Sequence, residues 1–308
     1  MTKPLVIILL STYNGEKYIR EQLESLYQQT LQDYFILIRD DGSTDNTVNI
    51  IKHCATQHAN IQLIEGSNIG VINSFFSLLN ATPDNTYRYY AFCDQDDVWM
   101  PHKLSSAVKQ LNASPVPAAS LHCSRLNYTD HQLNTLGLSA IPCTGFGNAL
   151  VENSAIGCTQ VFGEDIKQLI LRGNSEHMMM HDWWAYLVAA AFGQVIYDAE
   201  PSMQYRQHAG NVVGWDKQST KMLKKAAHFI DNLIIKKNGL ECLTQAQHFL
   251  DTYPDLPLAK QTVLHDFLQL RHSGSIIERY QFLKQHQIQR TNKLEQLILT
   301  SAVLARLH

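Results

Sequence analysis

No Cys-x-x-Cys pair occurs in this 308-residue chain; its six cysteines, Cys54, Cys93, Cys123, Cys143, Cys158 and Cys242, are scattered. That scatter disfavours both a zinc ligand set and a disulfide framework, and a reducing compartment fits best. No apolar run approaches the roughly 20 residues that cross a bilayer. Residues 5–10 are too short for the apolar core of a secretory signal and lead into a polar segment. Charge of one sign is lacking too: 25 Lys and Arg stand against 28 Asp and Glu, a formal net charge of −3. Without a basic field, nucleic acid is not an expected partner. Internal repeats and low-complexity tracts are absent as well. The expectation is a cytoplasmic protein, at most peripheral to a membrane.

What is present is alternation. Short apolar runs trade with amphipathic segments through the first half, the pattern of βα units and a largely parallel sheet. Strands are expected over 5–10, 34–39, 61–65 and 89–93, and helices over 16–29, 45–58 and 71–80. Ile19, Leu23, Leu26 and Tyr27 fall at helical spacing and would form a buried face. Residues 114–154 read as antiparallel strands and loops, 157–162 as a strand, and 183–192 as a buried helix. Beyond about residue 217 the character turns helical. The expected division is an α/β domain over 1–216, with a regular half of about 1–113 and a less regular half of about 114–216. A helical extension over 217–308 follows. That extension is either a cap or dimer partner, or a basic amphipathic face for anionic membrane carrying Lys221, Lys224, Lys225, Lys236 and Lys237.

Five polar motifs punctuate this pattern. Asp94-Gln95-Asp96-Asp97 ends a strand with three carboxylates, which repel unless ionisation is offset. A divalent cation with a taste for hard oxygen, Mg²⁺ or Mn²⁺, would offset it; a solvated loop is the plain alternative. Asp40-Asp41-Gly42-Ser43 follows the second strand. There Gly42 suits a tight turn and Ser43 or Thr44 a helix cap, while the paired carboxylates suit a base or a ribose. Ser11-Thr12-Tyr13-Asn14-Gly15 follows the first strand, with Asn14 and Gly15 expected at positive φ and Tyr13 placed to stack. His181-Asp182-Trp183-Trp184 opens a helix. Its Asp182 is a cap or a base whose apolar setting favours proton uptake, and its Trp rings are core or a sugar platform. In Tyr205-Arg206-Gln207-His208, Arg206 and His208 are natural diphosphate partners. Ligands of open α/β sheets bind outside the carboxyl ends of strands, so the motifs that end strands are expected to share one cleft.

In order and spacing these motifs resemble the family 2 glycosyltransferases: Ser-Thr-Tyr-Asn at 11–14, Asp-Asp-Gly-Ser at 40–43, Asn68-Ile69-Gly70, Cys-Asp-Gln-Asp-Asp-Val-Trp at 93–99, His181-Asp182 and Tyr-Arg-Gln-His at 205–208. The resemblance spans about residues 4–215, and its wording is similar to the bacterial rhamnosyltransferase-like branch of cell-surface polysaccharide synthesis. It implies an α/β GT-A fold, a Rossmann-like mixed sheet flanked by helices, as a catalytic domain over 1–216 with a donor half of about 1–113 and an acceptor half of about 114–216, and with the helical C-terminal extension outside it. It also implies an inverting transfer of a sugar, rhamnose favoured, to a glycan hydroxyl of O-antigen, capsule or a similar polymer. The donor would be dTDP-rhamnose, with a UDP-sugar next, and the acceptor a glycan or lipid-linked glycan at the cytoplasmic face of the inner membrane. By resemblance Ser11, Tyr13, Asp41 and Asp94 hold the nucleotide, and Arg206 and His208 the diphosphate. Asp96, Asp97 and His208 hold the metal, and Asp182 is the general base. One departure stands out: Ser11 replaces the usual proline. Two other readings fit clustered aspartates. A nucleotidyltransferase would show a Gly-rich basic loop where residues 11–17 have none, and a non-catalytic sugar-nucleotide scaffold would not need both Asp96 and Asp182.

Overall fold

The apolar run at the N-terminus forms β1 (Val6–Thr12), the axis of a seven-stranded sheet. The computed structural model describes residues 5–207, 241–270, 272 and 274–305. His208 and the five lysines of the expected basic face lie outside those residues. β1 pairs in parallel with β2 (Tyr34–Asp40) on one side and β4 (Tyr89–Cys93) on the other, and β3 (Ile61–Glu65) closes the edge beside β2. Beyond β4 lie β9 (Val161–Gly163), β6 (Ser120–Ser124) and β10 (Gln194–Asp198). β9 runs antiparallel to both its neighbours, which makes the sheet mixed. A smaller sheet has the order β5 (Val98–Trp99), β11 (Met203–Arg206), β7 (Asn127–Thr129), β8 (Thr135–Leu138).

Alternation along β1 sorts its side chains to two faces. Val6, Ile8 and Leu10 pack with Leu23 and Leu26 of α1 (Ile19–Tyr27) and Ile51 of α2 (Thr47–Ala55). Ile7 and Leu9 pack on the other face with Phe75 and Leu79 of α3 (Val71–Asn80) and with α7 (His181–Phe192). α4 (Lys103–Ala113), α5 (Phe146–Ala149) and α6 (Glu164–Ile170) complete the flanks.

β3, α3 and β4 have the expected limits, whereas α1 and α2 begin later than their apolar spacing suggests. The residues before them are bonded to each other instead. Asn14 N donates to Ser43 Oγ at 2.8 Å, Gly15 N to Thr47 Oγ1 at 2.8 Å, and Asn46 N to Glu16 Oε2 at 2.9 Å. Ser43 and Thr44 therefore do not cap α2. The strand expected over 157–162 is shorter, because Gly157–Thr159 is a 3₁₀ turn that precedes β9. In 114–154 β7 and β8 pair antiparallel with each other and β6 pairs antiparallel with β9, as expected; β6 also runs parallel to β10, and β7 to β11.

The described part of the extension holds α8 (Glu241–Thr252), α9 (Leu258–Gln269), α10 (Ile276–Gln285) and α11 (Lys293–Leu304). It shares a core with α7. Trp184 is completely buried, with Phe249 and Tyr253 of α8 and its following turn at centroid distances of 5.2 and 5.9 Å. Trp183 turns its Nε1–H to the Ala149 carbonyl at 2.7 Å. Trp184 is therefore core rather than a sugar platform, its faces taken by the extension. Phe249→Ala should cost about 3–5 kcal/mol in a urea unfolding titration. A loss below about 1 kcal/mol, the range of surface substitutions, would contradict the packing of α8 on α7.

Candidate active site

At the carboxyl ends of β1, β2 and β4 a cavity of about 380 Å³ is lined by Ser11, Tyr13, Asp41, Asp94, Asp96 and Asp182, among others. Motifs separated by up to 194 positions, from Ser11 to Tyr205, thus meet in one cleft, as the strand-end rule anticipates. A second groove, about 500 Å³, opens near the amino ends of β1 and β4 against Leu5, Tyr87, Arg88 and Glu164 and gathers none of the motifs.

One end of the cavity is a preformed turn. Asn14 has φ 49°, as expected, but Gly15 does not adopt positive φ. Gly15 is needed for space: a Cβ there would lie 2.2 Å from Gln95 Oε1. That oxygen accepts from Thr12 Oγ1 at 2.6 Å and Tyr13 N at 2.9 Å, while Gln95 Nε2 donates to the Tyr13 carbonyl at 3.1 Å. Gln95 therefore joins the acidic loop to the turn, a role the sequence reading missed. Its only signal was an amide set among carboxylates. The Tyr13 ring stays 47% exposed, so a face is open for stacking.

Asp41 is buried and already engaged. Its Oδ1 accepts from Ile69 N and its Oδ2 from Gly70 N, both at 2.9 Å, and it pairs with the Arg39 guanidinium. Arg39 also donates to Ser74 Oγ at 3.2 Å, and Ser74 Oγ bonds Ser11 Oγ at 2.7 Å. Ser11 thus lines the cavity with its hydroxyl tied to this network. Asp40 stays out of the cavity and accepts from Gly42 N and Ser43 N at 3.1 and 2.8 Å, which holds Gly42 at φ 82°.

The acidic loop is the electrostatic centre. Burial, then Asp96 and Asp182, push the Asp94 carboxyl up to about 7. Asp97 is fully buried and lies well above the usual carboxylate range, again by burial first and then by Asp96 and Asp94. Its Oδ1 accepts from Arg206 N at 3.2 Å, and its Oδ2 has no donor among the described residues. Arg206, expected to face a diphosphate, sits behind this loop and is buried. Its Nε donates to the Asp96 carbonyl at 3.0 Å, Nη1 to the His131 carbonyl at 2.7 Å, and Nη2 pairs with Glu21.

These carboxylates fit a divalent cation. Asp94, Asp97 and Cys158 bring ligand atoms within 4.8 Å of one another, Asp96 lines the same cavity, and the Asp97 Oδ2 lacks a donor. Cys158 was not anticipated. As a soft thiol it is a poor partner for Mg²⁺ or Mn²⁺, so the carboxylates are the fitting ligands.

Opposite stands Asp182, in the first turn of α7 rather than at its cap, which is Met180. Oδ2 accepts from Gly157 N at 2.7 Å and Oδ1 from Trp183 N at 2.8 Å. Gly157 is glycine for closeness, since a Cβ would lie 3.0 Å from that of Asp182. His181 stacks on Phe75 at 3.9 Å, and burial pushes its pKa down to about 4, so it is neutral near pH 7.

A raised Asp94 pKa has a definite sign. Between the ordinary carboxylate value near 4 and about 7, the folded state holds the extra proton, so stability falls as pH rises through that window. A cation favours the ionised form and reverses the loss. Mn²⁺ should therefore raise Tm more at pH 8 than at pH 5.5; equal increments at both would contradict a cation at this loop.

The chain is similar to known proteins in both sequence and fold. Residues 7–159 match the glycosyl transferase family 2 pattern. The chain is 32% identical over 215 residues to the dTDP-rhamnosyl transferase RfbG of Shigella flexneri, covering 67% of this chain and 73% of that protein. The crystal structure of S. aureus TarS 1-349 in complex with UDP-GlcNAc superposes with a TM-score of 0.56 at 17% identity, over 87% of this chain and 72% of that one. The mannosyltransferase PcManGT from Pyrobaculum calidifontis, in complex with GDP-Man and Mn²⁺, superposes with a TM-score of 0.52 at 17% identity, over 98% and 81%. The mixed sheet flanked by helices is the GT-A fold. The chain belongs to glycosyl transferase family 2 and is a glycosyltransferase.

Proposed function

We propose that this protein is an inverting glycosyltransferase that moves rhamnose from dTDP-rhamnose to a hydroxyl of a growing cell-surface glycan. One observation carries the reading: Asp182 and the acidic loop share a single cavity, close enough for Asp182 to raise the Asp94 pKa. A base and a diphosphate site so placed leave room for a sugar between them. Rhamnose is supported by the likeness to RfbG, and a UDP-sugar is the next candidate because TarS was crystallised with UDP-GlcNAc.

In this reading the thymine stacks on Tyr13, and Asp41 offers the base the remaining lone pair of Oδ2. Ser11 lines the same end, and Asp94 reaches the ribose. Asp94 and Asp96, with Asp97 behind them, would hold Mg²⁺ or Mn²⁺. The cation, when bound, supplies positive charge against the diphosphate. Arg206 shapes the loop from behind, and His208, beyond the described residues, is the remaining diphosphate partner. Asp182 takes the proton of the acceptor hydroxyl as its oxygen bonds C1. The C1–O bond to the diphosphate breaks in the same displacement, its electron pair leaves with dTDP, and configuration inverts.

The acceptor is a glycan or lipid-linked glycan of O-antigen, capsule or a similar polymer, met at the cytoplasmic face of the membrane. Asp182→Asn keeps an acceptor for the Gly157 N–H but cannot take a proton. It should lower turnover by about 10²–10⁴-fold while leaving the calorimetric affinity for dTDP-rhamnose unchanged. Wild-type turnover in that variant would sink the assignment.

A further inference from the structure

The C-terminal helices take no part in the chemistry above, yet they reach the wall of the cavity that holds Asp182. The turn between α10 and α11 packs against α5. A Cβ at Gly147 would meet the His286 carbonyl oxygen at 2.0 Å, and Asn148 Nδ2 donates to the Gln289 carbonyl at 2.8 Å. Arg290 then donates to the Val151 carbonyl and is itself held by Glu295, with Nε 2.9 Å from Oε2.

Glu152 is the hub of this contact. Its Oε2 accepts from Thr291 N and Thr291 Oγ1, both at 2.8 Å, from Asn148 Nδ2 at 2.9 Å and from Ser154 Oγ at 3.3 Å. Immediately after Glu152 the chain runs along the cavity, where Asn153, Ile156 and Gly157 form its wall. That wall ends on Asp182. Gly157 N donates to Asp182 Oδ2 at 2.7 Å, and Gln160 Nε2 bridges the carbonyls of Ala155 and Asp182 at 2.5 and 2.8 Å.

We propose that Glu152, Arg290 and Thr291 are positioning residues for Asp182: the C-terminal turn clamps the wall 153–157, whose Gly157 amide aims the base carboxylate into the cavity. The proposal rests on Asp182 being the general base. Hydrogen bonds to an ionised acceptor are the strong ones, so the Glu152 hub is a firm anchor. A misplacement of about 1 Å at a reacting group costs on the order of 10²-fold in rate, so a remote clamp has a kinetic signature. It also gives the extension a task that its sequence does not announce.

The test uses the full chain with Glu152→Gln and Thr291→Val, two changes that keep side-chain volume, and Thr291→Ser, which keeps the hydroxyl. Three quantities are read: amide hydrogen exchange over 153–157, Mn²⁺-dependent release of rhamnose from dTDP-rhamnose, and calorimetric affinity for dTDP. In the first two variants exchange over 153–157 should quicken and the kcat of release should fall about tenfold or more, with dTDP affinity unchanged. Thr291→Ser should behave as wild type. Unchanged exchange, or faster exchange with unchanged kcat, would overturn the proposal. A parallel fall of Tm and dTDP affinity would also overturn it, since it marks a merely structural clamp. A wild-type protein that binds dTDP but releases no sugar from any nucleotide sugar would remove the transferase reading, and this proposal with it. Active wild type with unaffected variants would remove this proposal alone.

Discussion

Burying Asp97 is the constraint on which the rest of the site depends. A carboxylate with no exposed surface, beside two others in one tetrapeptide, is costly unless something answers its charge. The protein answers in part, with the Arg206 amide on one oxygen, and leaves the other without a donor among the described residues. Arg206 itself is drawn behind the loop by that geometry, and β11 carries it there, so the small sheet exists where the loop needs a back wall. Lys103 lies near the same buried group, over the Trp99 ring at 4.6 Å, with its ammonium pushed down to about 8 by burial. The result is an acidic floor braced from behind by Arg206, with the Asp97 Oδ2 left without a donor among the described residues.

The walls follow from that floor. Gln95 fastens the turn at Thr12 and Tyr13 to the acidic loop through three hydrogen bonds. Asp41 and Arg39 fix the loop before α3, whose Phe75 backs His181 and thereby the start of α7. The two halves of the cleft thus meet through Arg39, Phe75 and His181, to which no chemical step is assigned. Function here depends on preorganised groups facing each other at fixed distance, which is where transferases of charged donors gain most.

Strand and helix positions in the first hundred residues were legible because apolar alternation and helical spacing are local signals. Ile61–Glu65, Val71–Asn80 and Tyr89–Cys93 needed nothing else. Partner choice was not legible. Arg206 looked like a diphosphate ligand because a lone Arg in a loop offers no hint that Glu21 and the His131 carbonyl will claim it. Trp184 looked available to a sugar because the helices that bury it lie some 60 residues on and show only generic amphipathicity. Gly15 was assigned to a positive φ when its true constraint is a side chain 80 positions away. The strand at Val161–Gly163 runs antiparallel between parallel neighbours, a choice that its three residues cannot encode.

The central claim is that one cavity holds donor nucleotide, cation and base in order along its length. A crystal structure with dTDP-rhamnose and Mn²⁺ tests it most directly. The account places the thymine on Tyr13 at the Asp41 end, the diphosphate over Asp94 and Asp96, and the anomeric carbon facing Asp182. A nucleotide bound outside this cavity, or a sugar turned away from Asp182, would contradict it.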